Sequence, residues 1–208
     1  ITQHDIQVAA ELGYKIKLLG IAERTESGIE QRVHPTMVPR ASAIARIDGV
    51  LNAVAIDGDA VGEVVLVGPG AGGNATASAV LGDISDIARG IHVPTLGRPV
   101  EELSPYRAAR MRLHEGGYYI RLAVYDRPGA FAEIARIMAV EGISLESIVQ
   151  RDRTRKSGEA GAHTDAPQPV ILITYETTEA AVKRALATIS EQTVVAGTPQ
   201  MIRIEKLG

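Results

Sequence analysis

A glycine-rich bend between a predicted strand and a predicted helix carries the residues best suited to hold a ligand. The apolar stretch 61–67 predicts the strand, and glycines follow it at Gly68, Gly70, Gly72 and Gly73. Glycine lets a bound molecule approach the backbone closely, because no Cβ stands in the way. The helix that follows directs its unpaired N–H groups and its positive dipole end toward the bend. This pattern predicts a site for a phosphate, carboxylate or amide group.

The bend also satisfies the spacing G-x-G-x-x-G, which is typical of dinucleotide-binding folds. That fingerprint requires a second strand after the helix, with an acidic residue about 20 positions further on. Here the helix runs instead into residues 91–105, a stretch interrupted by prolines. The spacing alone therefore favours a tight strand-to-helix turn over a complete nucleotide-binding unit.

Other residues with useful chemistry lie in patterns that favour structural roles. Lys15 and Lys17 share one face of a predicted strand and could donate protons or bind anions, but a solvated strand face is the simpler interpretation. His34 could act as a general acid or base, but no partner lies at a telling spacing. Asp57 and Asp59 lack the further oxygen ligands of a calcium loop, so no metal site is predicted.

Composition excludes several classes of function. The 208 residues carry a net charge of −3 without a long basic run, so neither nucleic acid nor an anionic membrane surface is predicted as a partner. No apolar run reaches membrane-spanning length. The absence of cysteine excludes disulfides and thiol catalysis and fits a reducing, cytoplasmic location. With one Phe and no Trp, the cores must be aliphatic.

The N-terminal part predicts an incomplete α+β domain, because its strands and helices do not form a complete parallel βαβ core. Asp5 is the expected N-cap of its first helix. Pro35 and Pro39 are expected to break a strand and move it to a sheet edge. The predicted elements are a helix from Asp5 to Gly13, a hairpin over 14–38, a short helix over 41–47, a hairpin over 51–67 and a helix with an apolar face at Thr76, Ala79, Val80, Ile84 and Ile87.

The C-terminal part predicts a different unit. A linker over 91–117 precedes it, with a helical turn at 99–103, and Pro128 is expected in the first turn of its first helix. The order βαββαβ predicts a four-stranded antiparallel sheet of the ferredoxin-like type, covered on one face by two helices. The predicted strands are 118–125, 143–150, 169–176 and 201–204, the helices lie around 128–141 and 178–191, and a polar loop spans 151–167.

The string that starts at Gly68, GPGAGxxxTASAVLxDIxDIAR, closely resembles the end of the catalytic region of homoserine dehydrogenases. The resemblance extends upstream to ELGYKIKLLGIAER, RVHPTMVP and NAVAIDGDAVGEVVL. It extends downstream to YYIRLAVYDRPGAFAEIARIM and so covers nearly the whole chain in order.

This resemblance implies an oxidoreductase that interconverts L-homoserine and L-aspartate 4-semialdehyde with NAD or NADP, in the biosynthesis of threonine, methionine and isoleucine. Residues 1–92 would be the C-terminal portion of the catalytic domain, which binds substrate and forms a dimerisation sheet. Gly72 and Thr76 would contact a cofactor bound mainly by another domain.

The resemblance also implies that this chain lacks the catalytic lysine of the family. The donor lysine precedes the segment that corresponds to Ile1, and neither Lys15 nor Lys17 matches its motif. The chain starts without a methionine at what looks like the middle of a protein, so a fragment that is inactive alone is expected.

The βαββαβ order together with D-R-P-G-A at the first strand-to-helix turn resembles the ACT domain, a small-molecule regulatory module. The resemblance implies a linker over 93–116, an ACT domain over 117–208 and feedback by an amino acid, with threonine expected. ACT domains pair edge to edge and bind effectors between subunits, which implies a homo-oligomer. The implied effector contacts are Asp126, Arg127, Pro128, Gly129, Ala130, Ile143 and Ser144.

Two alternatives remain open from the sequence. The chain could be a stand-alone amino-acid sensor or assembly module without catalysis. It could also end another ACT-bearing enzyme, such as a phosphoglycerate dehydrogenase or an aspartokinase, although the GPGAG and TASAV strings argue against these families. The choice between NAD and NADP, and between dimer and tetramer, also stays open.

Overall fold

The computed structural model describes residues 1–94, 96–109, 115–150 and 166–205, and it has the predicted α+β fold. Short 3-10 turns lie at Ile44–Arg46 and Val100–Glu102. Among the described residues, the helices and strands in chain order are α1 Gln3–Glu11, β1 Tyr14–Thr25, β2 Gly28–Pro39, β3 Leu51–Gly58, β4 Gly62–Pro69, α2 Gly73–Ala88, β5 Glu115–Val124, α3 Ala130–Val140, β6 Leu145–Gln150, β7 Gln168–Thr174, β8 Thr177–Thr178, α4 Glu179–Ser190 and β9 Val195–Ile204.

The C-terminal unit has the predicted ferredoxin-like arrangement. Its strands lie in the order β9-β5-β7-β6, and every neighbouring pair is antiparallel. Helices α3 and α4 cover one face, where Ile134, Met138, Val182 and Ile189 pack against the apolar side chains of β5 and β7. Strand β9 begins at Val195, six residues before the predicted start, so the last strand is longer than its apolar pattern indicates.

The sheet of this unit continues into the N-terminal part of the chain. Strand β2 runs parallel to β9, with Thr36 opposite Arg203 and Met37 opposite Ile204, and the β1–β2 hairpin extends the sheet to seven strands including β8. Helix α1 covers the other face, where Val8 packs with Met37, Ile204 and their neighbours in a second core. The sheet that the sequence predicts as covered on one face is therefore buried on both.

Strand β2 contradicts the prediction that its prolines break it at a sheet edge. It pairs with β1 along its whole length, including Pro35 opposite Leu18 and Pro39 opposite Tyr14, and it lies between β1 and β9. Its pairing with β9 is limited to Thr36 and the residue after it. Since a proline disturbs a sheet only where a neighbouring strand needs its N–H, this short pairing lets β2 carry both prolines.

The start of α1 also differs from the prediction. Thr2, not Asp5, is the N-cap, and Asp5 occupies the third helical position of a capping box. The Thr2 side chain accepts from the Asp5 N–H, while the Asp5 carboxylate accepts from the Thr2 N–H at 2.6 Å. This places the Asp5 carboxylate on the buried side of the helix, where it is fully inaccessible to solvent.

The middle of the chain has the predicted hairpin and helix but almost no core. Strands β3 and β4 form a separate two-stranded antiparallel sheet, and no described residue between Leu51 and Ala109 is buried. The predicted apolar face of α2 exists but faces solvent. The exposed large apolar side chains of these elements are Leu51, Val54, Ile56, Leu66, Val67, Val80, Leu81, Ile84 and Ile87.

Three smaller features complete the comparison. The predicted helix over 41–47 is only a 3-10 turn, whereas the turn predicted at 99–103 is confirmed. Helix α3 begins at Ala130 with Gly129 as its N-cap, so Pro128 lies before the helix and not in its first turn. No helix in the described part of the chain is long and apolar enough to cross a membrane.

Candidate functional site

The glycine bend ends at Gly72, which is the N-cap of α2. Gly72 has a φ of +122°, a backbone conformation that residues with a Cβ rarely adopt. No side chain among the described residues caps the helix, so the N–H groups of its first turn point out of the helix end. The hydroxyl of Thr76, one turn later, donates to the Gly72 carbonyl at 3.1 Å and fixes the shape of the bend.

The bend is fixed to the β3–β4 hairpin through Gly70. The Gly70 N–H donates to the carbonyl of Val50 at 3.3 Å. A Cβ at Gly70 would lie 1.3 Å from Nδ2 of Asn52, so a larger residue would require the exposed Asn52 side chain to move. Two of the four glycines are therefore favoured for different structural reasons: Gly72 by its positive φ, and Gly70 by its close approach to Asn52.

The electrostatics of the α2 N-terminus favour an anion or a hydrogen-bond acceptor. Its first turn contains no acidic residue, and the helix dipole adds positive potential there. An added Cβ on Gly72 or Gly73 would meet no heavy atom within 4 Å, so there is open space beside the backbone. These features fit a phosphate, carboxylate or amide group, which is the kind of ligand that the sequence pattern predicts.

Lys15 and Lys17 are both held by Asp48. The Asp48 carboxylate lies 2.5 Å from Nζ of Lys15 and 3.2 Å from Nζ of Lys17, which also donates to the carbonyl of Ile47. Hydrogen bonds from the two ammonium groups lower the pKa of Asp48. These contacts favour the structural interpretation of both lysines.

His34 lies at the junction of β2 and β9, where it contacts Thr36. Its Nδ1 lies 2.8 Å from Oγ1 of Thr36, and its Nε2 is buried without a hydrogen-bond partner among the described residues. Burial lowers the pKa of His34, and the positive charges of Arg203 and Arg32 lower it further. A neutral imidazole packed inside the sheet junction fits a structural role.

The described structure shows no metal-binding cluster at the two aspartates of the β3–β4 turn. Asp57 and Asp59 are exposed at the tip of the hairpin. The described residues contain no group of three or more His, Cys, Asp or Glu side chains that could hold a metal ion.

The strand-to-helix turn at residues 126–130, named here the ACT turn, leads from β5 into α3. Gly129 takes the left-handed conformation with a φ of +88°, and the guanidinium of Arg127 lies over the ring of Tyr125, 5.1 Å from its centroid. Asp126, Arg127, Pro128 and Gly129 are exposed, and Ala130 is buried. The turn thus presents one acid, one base and a helix start to solvent.

The free N–H donors at the start of α3 lie after Ala130. Pro128 has no N–H, and the Ala130 N–H donates to the carbonyl of Arg127 at 3.1 Å. The helical ladder begins with the Glu133 N–H, which donates to the Gly129 carbonyl at 3.0 Å. The N–H groups of residues 131–132, which no side chain caps, are therefore the donors that α3 offers to a ligand.

The two halves of the predicted effector site lie at opposite ends of the sheet within one chain. The ACT turn follows Val124, which pairs with Gln168 at the start of β7, whereas Ser144 precedes Leu145, which pairs with Thr174 at the end of β7. The seven residues of β7 span roughly 20 Å. The structure therefore brings the residues of the turn together but separates them from Ile143 and Ser144.

Ile143 and Ser144 also differ in exposure. The Ile143 side chain is 4% exposed and packs in the core under α3. The Ser144 side chain is exposed, and its carbonyl accepts from the Tyr175 N–H at 3.0 Å. Of these two side chains, only Ser144 is available to a ligand.

Sequence reasoning missed a buried polar cluster around Asp5. Its Oδ1 accepts from Nε of Arg121 at 2.6 Å and from the hydroxyl of Tyr119 at 2.9 Å, and its Oδ2 accepts from Thr2. Burial raises the pKa of Asp5, but the hydrogen bonds from Arg121, Thr2 and Tyr119 outweigh it and lower the pKa to about 2. The T-x-x-D spacing of a capping box was a sequence signal for half of this cluster.

Comparison with known proteins gives the family of both parts of the chain. The family model described as homoserine dehydrogenase matches residues 1–85, and the model described as ACT domain matches residues 118–168. Among curated proteins, the homoserine dehydrogenase of Pseudomonas aeruginosa is 38% identical over 213 residues, covering 100% of this chain and 47% of its own length. That of Neisseria gonorrhoeae is 37% identical with the same coverage.

The comparison with solved structures also finds a homoserine dehydrogenase. A crystal structure of a homoserine dehydrogenase from Thiobacillus denitrificans matches with a TM-score of 0.85 and 41% identity, covering 100% of this chain and 46% of that one. The chain thus spans about half the length of the relatives it matches. It corresponds to the C-terminal region of the homoserine dehydrogenase family, with the family's domain over residues 1–85 and an ACT domain after it.

Proposed function

We propose that this chain supplies the C-terminal catalytic-domain portion and the regulatory domain of an NAD(P)-dependent homoserine dehydrogenase. The enzyme interconverts L-homoserine and L-aspartate 4-semialdehyde on the route to threonine and methionine. The observation that carries the proposal is the uncapped N-terminus of α2 at Gly72, which lies inside the region that matches the family.

The role of this region is to position the cofactor, which supplies or accepts the hydride when bound. The open N–H groups of the α2 N-terminus hold a phosphate or amide oxygen, and the positive φ of Gly72 lets the ligand reach them. Thr76 keeps this shape because its hydroxyl donates to the Gly72 carbonyl. The lone pairs of the same oxygen can accept a hydrogen bond from a ligand.

No residue of this chain is assigned to the proton transfer. Lys15 and Lys17 share Asp48, and neither matches the motif of the family's donor lysine. The 208-residue chain therefore turns over no substrate alone. The exposed apolar side chains of β3, β4 and α2 would pack against the rest of the enzyme and a second subunit.

An assay of the native gene product tests the catalytic proposal. Nicotinamide absorbance is followed with L-aspartate 4-semialdehyde as substrate, in parallel with the 208-residue chain. Gly72→Ala should raise the cofactor KM about tenfold, which corresponds to about 1.4 kcal/mol. Gly90→Ala is the matched control, because Gly90 also has a positive φ and open space but lies at the other end of α2.

Two results would contradict this part. Robust turnover by the 208-residue chain would show that the chain holds its own catalytic group. An unchanged cofactor KM in Gly72→Ala, with activity present, would remove the α2 N-terminus from the cofactor site.

We infer that the ACT domain binds an amino acid, with threonine as the expected effector, between two copies of the chain. The ACT turn and Ser144 lie at opposite ends of β7 in one copy, so a site with both needs a second copy. Strand β6 pairs only with β7 in the described sheet, and two such edges meeting antiparallel would bring one copy's turn toward the other's Ser144.

Calorimetric titration with L-threonine, together with sedimentation, tests the effector proposal. Threonine should bind and should shift the chain toward a dimer. Ser144→Ala should weaken binding several-fold without changing the fold, because Ser144 is exposed. Binding by a strict monomer would contradict the shared site, and binding with no turnover by the native gene product would favour a sensor without catalysis.

A further inference from the structure

The buried cluster around Asp5 connects two parts of the chain that the sequence presents as separate domains. Asp5 lies on α1, within the part that matches homoserine dehydrogenases, and Arg121 lies on β5 of the ACT domain. The Asp5 carboxylate is fully buried, and Nη2 of Arg121 adds a contact of 3.3 Å to the bond from Nε. A buried carboxylate that loses its cationic partner is strongly destabilised, so separating α1 from Arg121 is energetically costly.

Arg121 is also on the path to the ACT turn. It lies on β5 five residues before Asp126, and the strand ends at Val124, so the two residues are at most roughly 17 Å apart along the chain. Because side chains alternate along a strand, Tyr119 and Arg121 share one face of β5, and Tyr125 follows directly after the strand ends at Val124. The guanidinium of Arg127, in the ACT turn, lies over the ring of Tyr125, and the hydroxyl of Tyr119 donates to the Asp5 carboxylate. One face of β5 therefore contacts α1, and the residue that follows the strand contacts the turn.

The ladder between β5 and β9 is interrupted at the middle of this path. Strand β5 pairs with β9 on one side and β7 on the other, but the β9 register shifts between Arg121 and Ala123. The extra residues lie on β9, between Ala196 and Gln200, and such a bulge leaves residues unpaired and increases the local twist. The strand is thus held by β7 while its β9 side can adjust next to Arg121.

Helix α1 leads directly into the rest of the catalytic-domain portion. It ends at Glu11, and β1 starts at Tyr14, whose strand holds Asp48 through Lys15 and Lys17 just before β3. Strands β3 and β4 then lead to the glycine bend. A displacement of α1 would therefore reach the elements that we propose to position the cofactor.

We propose that the Asp5–Arg121 ion pair is a regulatory link that passes a change at the ACT turn to α1. The link rests on the proposed effector function for its physiological use, but its existence can be tested without a ligand. Energetic coupling between two sites is reciprocal, so a disturbance at Asp5 must also reach the ACT turn.

Amide hydrogen exchange on the 208-residue chain tests the link without a ligand. Asp5→Asn keeps the shape of the side chain and removes its charge. We expect exchange to rise at least about threefold both in α1 and in peptides covering the ACT turn, because both ends of the coupled unit open more often.

The matched control is Glu179→Gln, which breaks another semi-buried ion pair of the same sheet. Glu179 binds Arg203 and Lys183 on the α4 side and makes none of the contacts around Asp5. Glu179→Gln should raise exchange in α4 and β9. It should not raise exchange in both α1 and the ACT turn. A rise confined to α1 in Asp5→Asn, or the same pattern in both variants, would overturn the link.

A titration with L-threonine then separates the link from the effector proposal. In the wild-type chain, saturating threonine should slow exchange in α1; in Asp5→Asn it should not, because the ion pair that passes the change is gone. Threonine binding without any change in α1 of the wild type would overturn the link. Absence of threonine binding would overturn the proposed effector only, since the ligand-free exchange decides the link independently.

Discussion

Two helices with similar apolar faces differ in burial: α3 packs in the core, whereas α2 is exposed. In α3, Ile134 is 2% exposed because the ACT sheet lies beneath it, whereas in α2 Ile84 is 55% exposed because no described layer covers it. The periodicity of the two helices is the same kind of signal. The difference shows that an apolar stripe predicts a helix that needs a partner, and that the partner must come from elsewhere in the fold.

The same contrast holds for the hairpins. The β1–β2 hairpin joins the ACT sheet, and Met37 and Val38 at its end are fully buried. The β3–β4 hairpin forms its own sheet, and Val54 and Leu66 face solvent. A large apolar surface of this kind is typical of an interaction site and not of a finished surface.

The largest expected effect is a difference in stability between the two regions. Leu122→Ala removes a fully buried side chain from β5 and should lower the free energy of unfolding by about 3 kcal/mol. Leu81→Ala in α2 removes an exposed side chain and should change it by less than about 0.5 kcal/mol. Urea denaturation followed by circular dichroism measures both, and equal losses would contradict the contrast.

Acid should weaken the joined sheet through Asp5. The pKa of Asp5 is about 2 in the fold, against its ordinary value of 3.8, so its contribution is present above pH 4 and is lost as the pH falls toward 2. The contribution is about 2 kcal/mol at neutral pH by this linkage. The stability difference between the wild type and Asp5→Asn, measured by urea denaturation, should therefore shrink between pH 5 and pH 2.

A constant stability difference over this range would contradict the prediction. Other carboxylates titrate in the same range, but they are common to both proteins and cancel in the difference. Neutral pH serves as the reference, because Asp5 is ionised there in both the folded and the unfolded state.

Two glycines with positive φ sharpen the comparison further. Gly129→Ala strains the N-cap of α3 and should destabilise the main unfolding transition by about 1 kcal/mol, because α3 is part of the core. Gly72→Ala imposes a similar strain on α2 but should leave that transition unchanged, since α2 has no buried residue. Thermal denaturation measures the first effect, and a matching loss in Gly72→Ala would show that α2 unfolds with the core.

The smallest expected effect is a pH dependence at the sheet junction. The pKa of His34 lies below its ordinary value of 6.5 because of burial and the nearby Arg203 and Arg32, although Glu205 and the Pro35 carbonyl oppose the shift. The unfolded chain therefore takes up a proton first as the pH falls below about 6.5, and stability declines. His34→Gln should flatten the stability profile between pH 7 and pH 5.5, and an unchanged slope would contradict this role.

Sequence reasoning predicted the elements well where period and turn residues agree. Glycine at 28 and the D-G-D turn fix the two hairpins, and the alternation of β5 and β7 gives the antiparallel sheet. The position of Gly72 at a helix start followed from the glycine run before an amphipathic stripe. These are local signals, because each depends on residues within about ten positions.

The errors lie where distant segments meet. Asp5 was expected to be the N-cap of a helix, but it lies inside the helix and binds Arg121, 116 residues away, in the interior. Pro35 was expected to mark an edge, but β9 arrives beside β2 for only two residues and tolerates it. No local pattern contains the position of a partner so far along the chain.

The sequence by itself determined the order of the elements, the glycine bend, the ACT turn and the family that both resemble. The tertiary structure alone decided that the β1–β2 hairpin and the ACT strands form one sheet and that α1 covers the second face of this sheet. It also decided that no described layer covers α2. The physical reason is that helix and strand formation depend on neighbouring residues, whereas burial and ion pairing depend on which surfaces meet after the chain has folded.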